Sequence, residues 1–455
     1  MDTLIPISED WRPAETPVTP LEQGDRPAIF ILAAIAALNV AIFLYVNVSG
    51  FVRQPYSDMF SFIRAEFDYE RGGDLLAYLA SPHNHQHLVW IRVLSLLDIH
   101  AFHGAAVIFT ASAVLSVAVA ALAISMEIWR AAPVRAVGAL AALLSVLLIV
   151  STVNAMDCTQ PINTVYAFAF VFTVLAVILF EQAAADPRGR TAVLVVLSLV
   201  AALCAVGGSA AGVAVWPVLM FSAVRNPTNR RLFVPVLLVG LVAITVVLLA
   251  LFDGAADPHA ARGLAHVWKM AEYFVVYCGM PWSMIPLLSR VRLGIGLITL
   301  AVGAALLWRG AQRDGAAGRL ERIGLDLMLF ALITAAMAAV GRVDENDAVA
   351  VPVRYAIFMT AFQVGLVCLL ALEIGERWAA IKRYAVPSVL AVAVILLIQQ
   401  VMAGSSVLRY AQHVRAEVAD FNAGVRRPEM HQLIFPDYGF AQQVQAECAR
   451  RGLYQ

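Results

Sequence analysis

Residues 57–103 read SDMFSFIRAEFDYERGGDLLAYLASPHNHQHLVWIRVLSLLDIHAFH and separate the first two apolar segments of the chain. Short turns usually join neighbouring helices in a bundle, but this stretch carries carboxylates, three alternating histidines and two amphipathic segments. Such a composition is typical of a segment that lies on a membrane surface. We therefore expect a functional site in this first loop, which spans residues 50–102.

The composition is that of a chain embedded in a membrane. Of its 455 residues, 61% are hydrophobic and 14% are charged, and the mean hydropathy is +0.77. A soluble domain carries about 25% charged residues. The formal net charge is zero, so no overall field favours a nucleic-acid partner, and none is expected. The five cysteines lack the paired spacing of a metal knuckle or a disulfide framework.

Apolar segments long enough to cross a bilayer recur along most of the chain. They predict an all-α polytopic membrane protein with about eleven transmembrane helices, because a span needs about 20 apolar residues. The segments lie at residues 27–48, 103–126, 134–153, 162–181, 191–206, 210–224, 232–252, 291–308, 323–341, 353–373 and 385–402. Segments 191–206 and 210–224 are short, and the Gly207-Gly208-Ser209 link between them suits a tight hairpin.

The distribution of basic residues predicts which loops face the cytoplasm. Five loops with Arg or Lys alternate with residues 154–161 and 207–209, which have neither, and basic residues accumulate in cytoplasmic loops. The tail at 1–26 is therefore expected in the cytoplasm, and the protein in the cell (inner) membrane. The transmembrane domain at 27–402 then exposes on the outside the first loop, residues 253–290, residues 342–352 and a helical tail at 403–455. With about 50 residues the tail is too small for its own core, so its helices at 407–421 and 438–451 are expected to pack on the outer loops.

Two surface helices are predicted within the first loop. Apolar residues within 59–67 recur at helical spacing. Residues 71–73 (Arg-Gly-Gly) interrupt this pattern, and a short helix follows at 74–79. A further helix is expected to begin at Pro82, with Ser81 as its N-cap.

Asp58 directly follows the first span and opens the first surface helix. A carboxylate at this place can accept a proton from a sugar hydroxyl or hold a cation against a phosphate. The Ser57-Asp58 pair also suits an ordinary helix N-cap. Both interpretations remain open from the residue alone.

His83, His85 and His87 alternate along the loop. In a helix that begins at Pro82, the first and third lie one turn apart and His85 points away from them. Contacts to a substrate are the preferred interpretation, with metal ligands and an ordinary interfacial turn as alternatives. No cysteine or carboxylate within these few residues completes a zinc site. If Mg²⁺ or Mn²⁺ binds, Asp58 and His85 are the candidate ligands.

The later outer loops supply further candidate contacts to a substrate. Asp157 and Gln160 carry groups suited to sugar hydroxyls, although ordinary loop polarity explains them as well. Lys269, within residues 253–290, is a candidate for contact with a phosphate. The aromatic side chains of the same residues are expected to form an interfacial belt, with a groove for a lipid chain or stacking on a sugar as alternatives.

Arg342 and Arg354 frame the loop after the ninth predicted span, and Tyr355 follows directly. Arginine at the end of a span can extend to lipid headgroups. It can equally grip a lipid-linked phosphate through two parallel hydrogen bonds.

Together these features resemble the GT-C superfamily of integral-membrane glycosyltransferases, over roughly residues 25–400. The stretches that carry the resemblance are Ser57-Asp58, residues 82–87 ahead of Arg92, residues 212–217, Gly341-Arg342 and Arg354-Tyr355. It implies transfer of a sugar from a polyprenyl-phosphate or polyprenyl-diphosphate carrier, usually with inversion. By the same resemblance, Asp58 would be the catalytic base or a cation-binding acid, and Arg342 and Arg354 would meet the carrier phosphate.

The chain also departs from that superfamily. Residues 57–58 are Ser-Asp and not a pair of acids such as Asp-Asp or Asp-Glu. Metal dependence therefore remains open. The large soluble outer domain of oligosaccharyltransferases is absent too. The expected acceptor is therefore a glycan or lipid of the cell envelope, and the expected surroundings are membrane lipids.

Two other classes of function remain as alternatives. A transporter or flippase for a lipid-linked or small polar substrate would carry charges near the bilayer midplane, and Asp326 is the clearest acid within a predicted span. A polysaccharide polymerase or ligase usually carries its arginines and histidines on a later large loop. The charges at the loop ends and the layout of the first loop favour the glycosyltransferase.

Overall fold

A computed structural model of the chain describes residues 19–83, 86–184, 189–252, 264–282, 291–311, 318–343, 353–427 and 433–454. These residues form α-helices joined by turns and short 3₁₀ segments. The helices are α1 Arg26–Gly50, α2 Met59–Glu70, α3 Leu75–Ala80, α4 Val89–Phe102, α5 Val107–Ala131, α6 Arg135–Ile149, α7 Met156–Thr159, α8 Thr164–Ala184, α9 Thr191–Gly208, α10 Val215–Arg225, α11 Phe233–Phe252, α12 Leu264–Cys278, α13 Arg292–Ala311, α14 Arg319–Arg342, α15 Ala356–Glu376, α16 Trp378–Asn422 and α17 Tyr438–Arg450.

Ten helices of the described residues are long and apolar enough to cross a membrane. The prediction of an all-α polytopic membrane protein is therefore confirmed. The predicted span at 210–224 is not long enough to count among the ten. The segment at 210–224 forms a shorter apolar helix, Ala210–Arg225, whose first turn folds back onto the end of α9. A Cβ at Gly212 would lie 2.0 Å from the Ala205 carbonyl oxygen, so only glycine permits this approach.

The last span does not end where the sequence pattern suggested. The helix α16 runs without a break for 45 residues, about 68 Å at 1.5 Å per residue, whereas a bilayer core is about 30 Å thick. The predicted span at 385–402 and the predicted tail helix at 407–421 are thus one helix. Gly404 lies inside this helix. Its missing side chain allows α1 to come close, because a Cβ there would lie 2.8 Å from Val46 on α1.

A buried polar junction ties α1, the end of α6 and α16 together. The side chain of Gln400 donates to Asn39 and, at 2.8 Å, to the carbonyl of Val150. Thr152 donates its hydroxyl to the Gln400 carbonyl at 2.7 Å and its backbone N–H to the Gln400 side chain. Buried polar groups in a membrane must find such internal partners.

Beyond this junction, α16 holds the end of α1. Arg415 donates to the carbonyls of Ser49 at 2.5 Å and Phe51 at 2.6 Å. The last carbonyls of a helix have no partner within it, and a basic side chain is a common solution. Residues 51–58 therefore leave the first span from a fixed point.

The first loop and the C-terminal helices form a second apolar core outside the bundle. The ring of Phe60 on α2 contacts Phe421 at 5.9 Å and Phe435 at 6.2 Å between centroids. Val414 and Ile434 are fully buried in the same cluster. The tail therefore packs against the first loop, as the sequence predicted.

The helix expected to begin at Pro82 begins instead at Val89. His83 and Gln86 exchange backbone hydrogen bonds of 2.8 and 2.9 Å, a reciprocal pairing that an α-helix beginning at Pro82 would not make. Ser81 caps no new helix, because its hydroxyl donates to the Tyr78 carbonyl at the end of α3. The prediction placed Ser81-Pro82 at a helix start, but these residues end one.

The C-terminal residues close over the end of α4. Asp98 is fully buried and accepts a 2.8 Å hydrogen bond from the Ala106 N–H. Burial raises the pKa of Asp98 to about 6, against the lowering effect of hydrogen bonds from the Tyr454 hydroxyl and from Ala106. Tyr454 is itself 4% exposed, and a Cβ at Gly104 would lie 2.9 Å from its ring.

Replacement of Gln400 by Ala is expected to destabilise the fold by about 1–3 kcal/mol, because buried groups of Asn39 and Thr152 lose their partner. Thermal unfolding in detergent measures the effect. Ile398→Ala is the matched control, since that side chain is 53% exposed on the same helix. Equal melting temperatures for the two variants would contradict the role of the junction.

Replacement of Tyr454 by Ala is expected to cost about 3 kcal/mol, because it removes a buried aromatic ring from the second core. The same unfolding measurement applies, with Tyr45→Ala as the control, a side chain 63% exposed on α1. A Tyr454→Ala protein as stable as the wild type would show that the C-terminal residues do not hold the first loop.

Candidate functional site

Asp58 lies at the start of α2 with its carboxylate beside an imidazole. Its Oδ2 atom is 3.4 Å from Nε2 of His83, and the two side chains are 37% and 16% exposed. The carboxylate makes no capping hydrogen bond to α2, so the N-cap interpretation does not hold. The structure thus brings together two candidate residues that are distant in sequence.

Backbone strain sets the direction of Asp58. The preceding residue, Ser57, has φ = +53°, a left-handed conformation that costs a non-glycine residue about 1 kcal/mol or more. Its N–H donates to the Ile434 carbonyl at 2.6 Å. Surrounding structure must hold such a residue in place, and here the C-terminal segment does so.

The turn that carries His83 is held from two sides. The imidazole packs on the ring of Phe62 at 4.5 Å between centroids. The side chain of Gln86 accepts a 3.4 Å hydrogen bond from the Ala210 N–H, between α9 and α10. Because Gln86 also pairs with the His83 backbone, the bundle positions the imidazole.

His87 does not join Asp58. A 2.5 Å contact from Nδ1 of His87 to the Ala80 carbonyl fastens that ring to the end of α3. His85, the other candidate ligand for a metal ion, lies outside the described residues. Of the described pair, the Asp58 carboxylate offers the kind of oxygen ligand that Mg²⁺ and Mn²⁺ prefer, and the His83 imidazole does not.

Arg92, which is not among the predicted site residues, supports the turn that carries His83. It is 3% exposed, and its guanidinium lies 5.4 Å from the Phe62 ring and 5.1 Å from the Tyr78 ring. Its Nη2 atom donates to the Ser81 carbonyl at 3.1 Å. Burial lowers the pKa of Arg92 from its usual value. The Phe62 ring therefore contacts both His83 and Arg92. Helical spacing alone does not reveal this arrangement.

A second cluster surrounds Arg354 at the start of α15. Its guanidinium lies 5.4 Å from the Tyr355 ring, and that ring contacts Tyr166 at 5.6 Å and Tyr277 at 6.0 Å. Arg342 interacts electrostatically with Tyr166 as well. The structure therefore places Arg354 beside Tyr355, while Arg342 is related to this cluster only through its electrostatic effect on Tyr166.

Asp157 is the acid of this second cluster. It is fully buried, neither carboxylate oxygen makes a hydrogen bond, and Arg354 is the charge that acts on it. The neighbouring Gln160 accepts a 2.9 Å hydrogen bond from Asn163, which leaves its amide nitrogen without one. Unsatisfied buried polar atoms are costly in an apolar interior and are typical of functional sites.

The end of α1 lies against the helix that carries Asp157. A Cβ at Gly50, the last residue of α1, would lie 3.2 Å from Thr159 on α7, and α7 also carries Asp157. The arginine cluster and the carboxylate of Asp58 therefore lie at the same end of the bundle, where α1 ends and α15 begins.

Lys269 is not among the contacts of Arg354 given above, and two of the aromatic rings expected in the interfacial belt are buried in the bundle. Lys269 is exposed on α12, and none of the contacts of Arg354 given above involves it. Tyr273 and Tyr277 of the same helix are at most 1% exposed and belong to the main core. The belt prediction was wrong for these two rings, because α12 packs inward against the bundle.

Asp326 lies in a separate charged cluster near the start of α14. It is 3.4 Å from Arg225, and Arg322 pairs with the neighbouring Glu181. Arg342, at the other end of α14, is about 24 Å away along the axis. Each of the two buried acids thus has its own arginine, as expected for a structural ion-pair network.

Comparison with known structures gives a similarity over most of the chain. The crystal structure of the Archaeoglobus fulgidus oligosaccharyltransferase, in complex with Zn and sulfate, matches with a TM-score of 0.42 and 14% sequence identity. The match covers 82% of this chain and 53% of that chain, so this chain spans about half the length of that protein. No family model and no curated protein matches the chain. A similarity of this extent establishes neither its family nor its activity.

Proposed function

We propose that this protein is a membrane glycosyltransferase. It moves a sugar from a polyprenyl-phosphate or polyprenyl-diphosphate carrier to a glycan or lipid acceptor of the cell envelope. The observation that carries the proposal is the partly exposed Asp58 carboxylate beside His83, at the bundle end that also holds half-buried Arg354. A base and a phosphate-binding cation are the two groups that this transfer requires.

In the proposed reaction, Asp58 accepts the proton of the acceptor hydroxyl as the oxygen attacks the anomeric carbon. The bond between that carbon and the carrier phosphate breaks at the same time, and the phosphate leaves with the electron pair. His83, 3.4 Å from the carboxylate, orients Asp58. A carboxylate within reach of the hydroxyl serves as a general base, typically worth about 10²–10⁴-fold in rate.

Arg354 and Arg342 receive the leaving phosphate in this proposal. The ring of Tyr355 contacts the Arg354 guanidinium, and Tyr166 and Tyr277 pack against that ring. A guanidinium fixed in this way stabilises developing negative charge with little reorganisation. Asp157 is a positioning residue for Arg354, and Gln160 is a candidate contact to a sugar hydroxyl.

An apolar cavity below the arginine cluster suits the carrier chain. It has a volume of about 330 Å³ and is lined by residues such as Leu144, Trp282, Gln363, Leu370 and Val389. Gln363 lies eight residues beyond Tyr355, about 12 Å along the axis of α15. A carrier with its phosphate at Arg354 would therefore run its isoprenoid chain into this cavity.

Replacement of Asp58 by Asn is expected to lower transfer by about 10²–10⁴-fold, because the amide cannot accept the proton. Purified protein in liposomes would be assayed with undecaprenyl phosphates that carry radiolabelled hexoses. Asp68→Asn is the matched control, an exposed acid of the same helix that pairs with Arg64 and Arg71, and it should retain full activity. A folded Asp58→Asn protein with wild-type transfer would refute the assignment of the base.

Replacement of Arg354 by Gln is expected to lower transfer by about 10²-fold or more, since one preorganised donor to the leaving group is lost. Arg409→Gln is the control, because Arg409 lies exposed on α16 and bonds only neighbouring serines in the contacts observed. Equal rates for the two variants would remove Arg354 from the phosphate site.

A further inference from the structure

A second group of metal-binding side chains lies at the far end of the first loop. Glu66 and Glu70 are one turn apart on α2 and share a face, and His100 faces them from α4. Nε2 of His100 is 3.2 Å from Oε1 of Glu66 and 3.5 Å from Oε1 of Glu70. One ligand atom from each residue falls within 4.8 Å of the others.

These separations match the edges of a tetrahedral coordination shell. Zinc binds imidazole nitrogen and carboxylate oxygen at about 2.0–2.2 Å, which places neighbouring tetrahedral ligands about 3.3–3.5 Å apart. The two measured distances, 3.2 and 3.5 Å, lie at this value. Two of the three edges thus have the length of a zinc coordination shell, and the third, between the two glutamates, is at most 4.8 Å.

Glu66 provides an independent sign of a missing partner. It is 0% exposed, and among the described residues its Oε2 atom has no hydrogen-bond partner within normal distance, although the Tyr78 hydroxyl acts on the carboxylate. A buried carboxylate oxygen without a close partner is costly, and a cation held by both oxygens of Glu66 and by His100 would supply one. His100 is 54% exposed, so an ion can reach the group from solvent.

The second oxygen of Glu70 is already held. Oε2 of Glu70 pairs with Arg451 at the end of α17, and the guanidinium of Arg451 lies 4.0 Å from the Phe67 ring. Outer contacts of this kind orient metal-binding carboxylates. Arg451 leaves Oε1 of Glu70 directed toward His100.

We propose that Glu66, Glu70 and His100 bind a divalent transition-metal ion of the Zn²⁺ type. The ion fastens α2 to α4, and through Arg451 it connects the C-terminal helix to the same point. Glu66 is eight residues beyond Asp58, about 12 Å along α2, so this site is separate from the candidate active site. The proposal does not depend on the proposed glycosyl transfer.

The test measures zinc bound by the purified full-length protein. Protein stripped with EDTA would be dialysed against Zn²⁺, and bound metal counted per chain by mass spectrometry. We expect one tightly bound Zn²⁺ in the wild type, and an at least tenfold weaker affinity in His100→Asn and Glu70→Gln. Asp68→Asn, an exposed acid of α2 outside the group, should bind zinc like the wild type.

A second readout separates the metal from a protonated His100 that bridges the two glutamates. Zinc X-ray absorption of the wild type should show nitrogen and oxygen ligands only, with one imidazole. Zinc should also raise the melting temperature of the wild type and of Asp68→Asn, and leave that of His100→Asn unchanged. No bound zinc in the wild type, or equal binding by His100→Asn, would overturn the proposal.

Discussion

The position of the candidate site depends on the contact of α16 with the end of α1. Gln400 bonds Asn39 within the bundle, and about four turns further along the same helix Arg415 donates to the carbonyls of Ser49 and Phe51. Because α16 continues as one rigid helix between these two contacts, it transmits the position of the bundle to the first loop. The chain leaves α1 at this fixed point and reaches Asp58 eight residues later. The strained Ser57 before it donates its N–H to the Ile434 carbonyl of the C-terminal segment.

Buried charge is handled differently at the two ends of the bundle. Near the start of α14, Asp326 and Glu181 each meet an arginine, which satisfies the requirement that buried charges be paired. At the other end, the ring of Tyr355 contacts Arg354, and Asp157 is buried without a hydrogen bond from the described residues. The first arrangement pairs each acid directly with an arginine, whereas the described residues give Asp157 no such hydrogen-bonded pair.

Hydropathy predicted most spans closely because the bilayer imposes length and apolar composition on them. The predicted span at 323–341, for example, lies within Arg319–Arg342. The pattern failed where a tertiary contact decided the path of the chain. Gly212 turns the backbone against α9, and the bonds between His83 and Gln86 replace the expected first turn of a helix. The predicted span at 385–402 and the predicted tail helix at 407–421 form one helix, in which Gly404 allows the close approach of α1.

The sequence by itself determined the class of fold, the spans, and the candidate residues Asp58, Arg342 and Arg354, since each follows from local composition and position. Tertiary structure alone decided which of them meet. The contact of Asp58 with His83 requires the turn after α3 to fold back over α2, and the cluster at Arg354 requires α7, α8, α12 and α15 to converge. Contacts between residues far apart in the chain form only when the helices pack, and no local pattern encodes them.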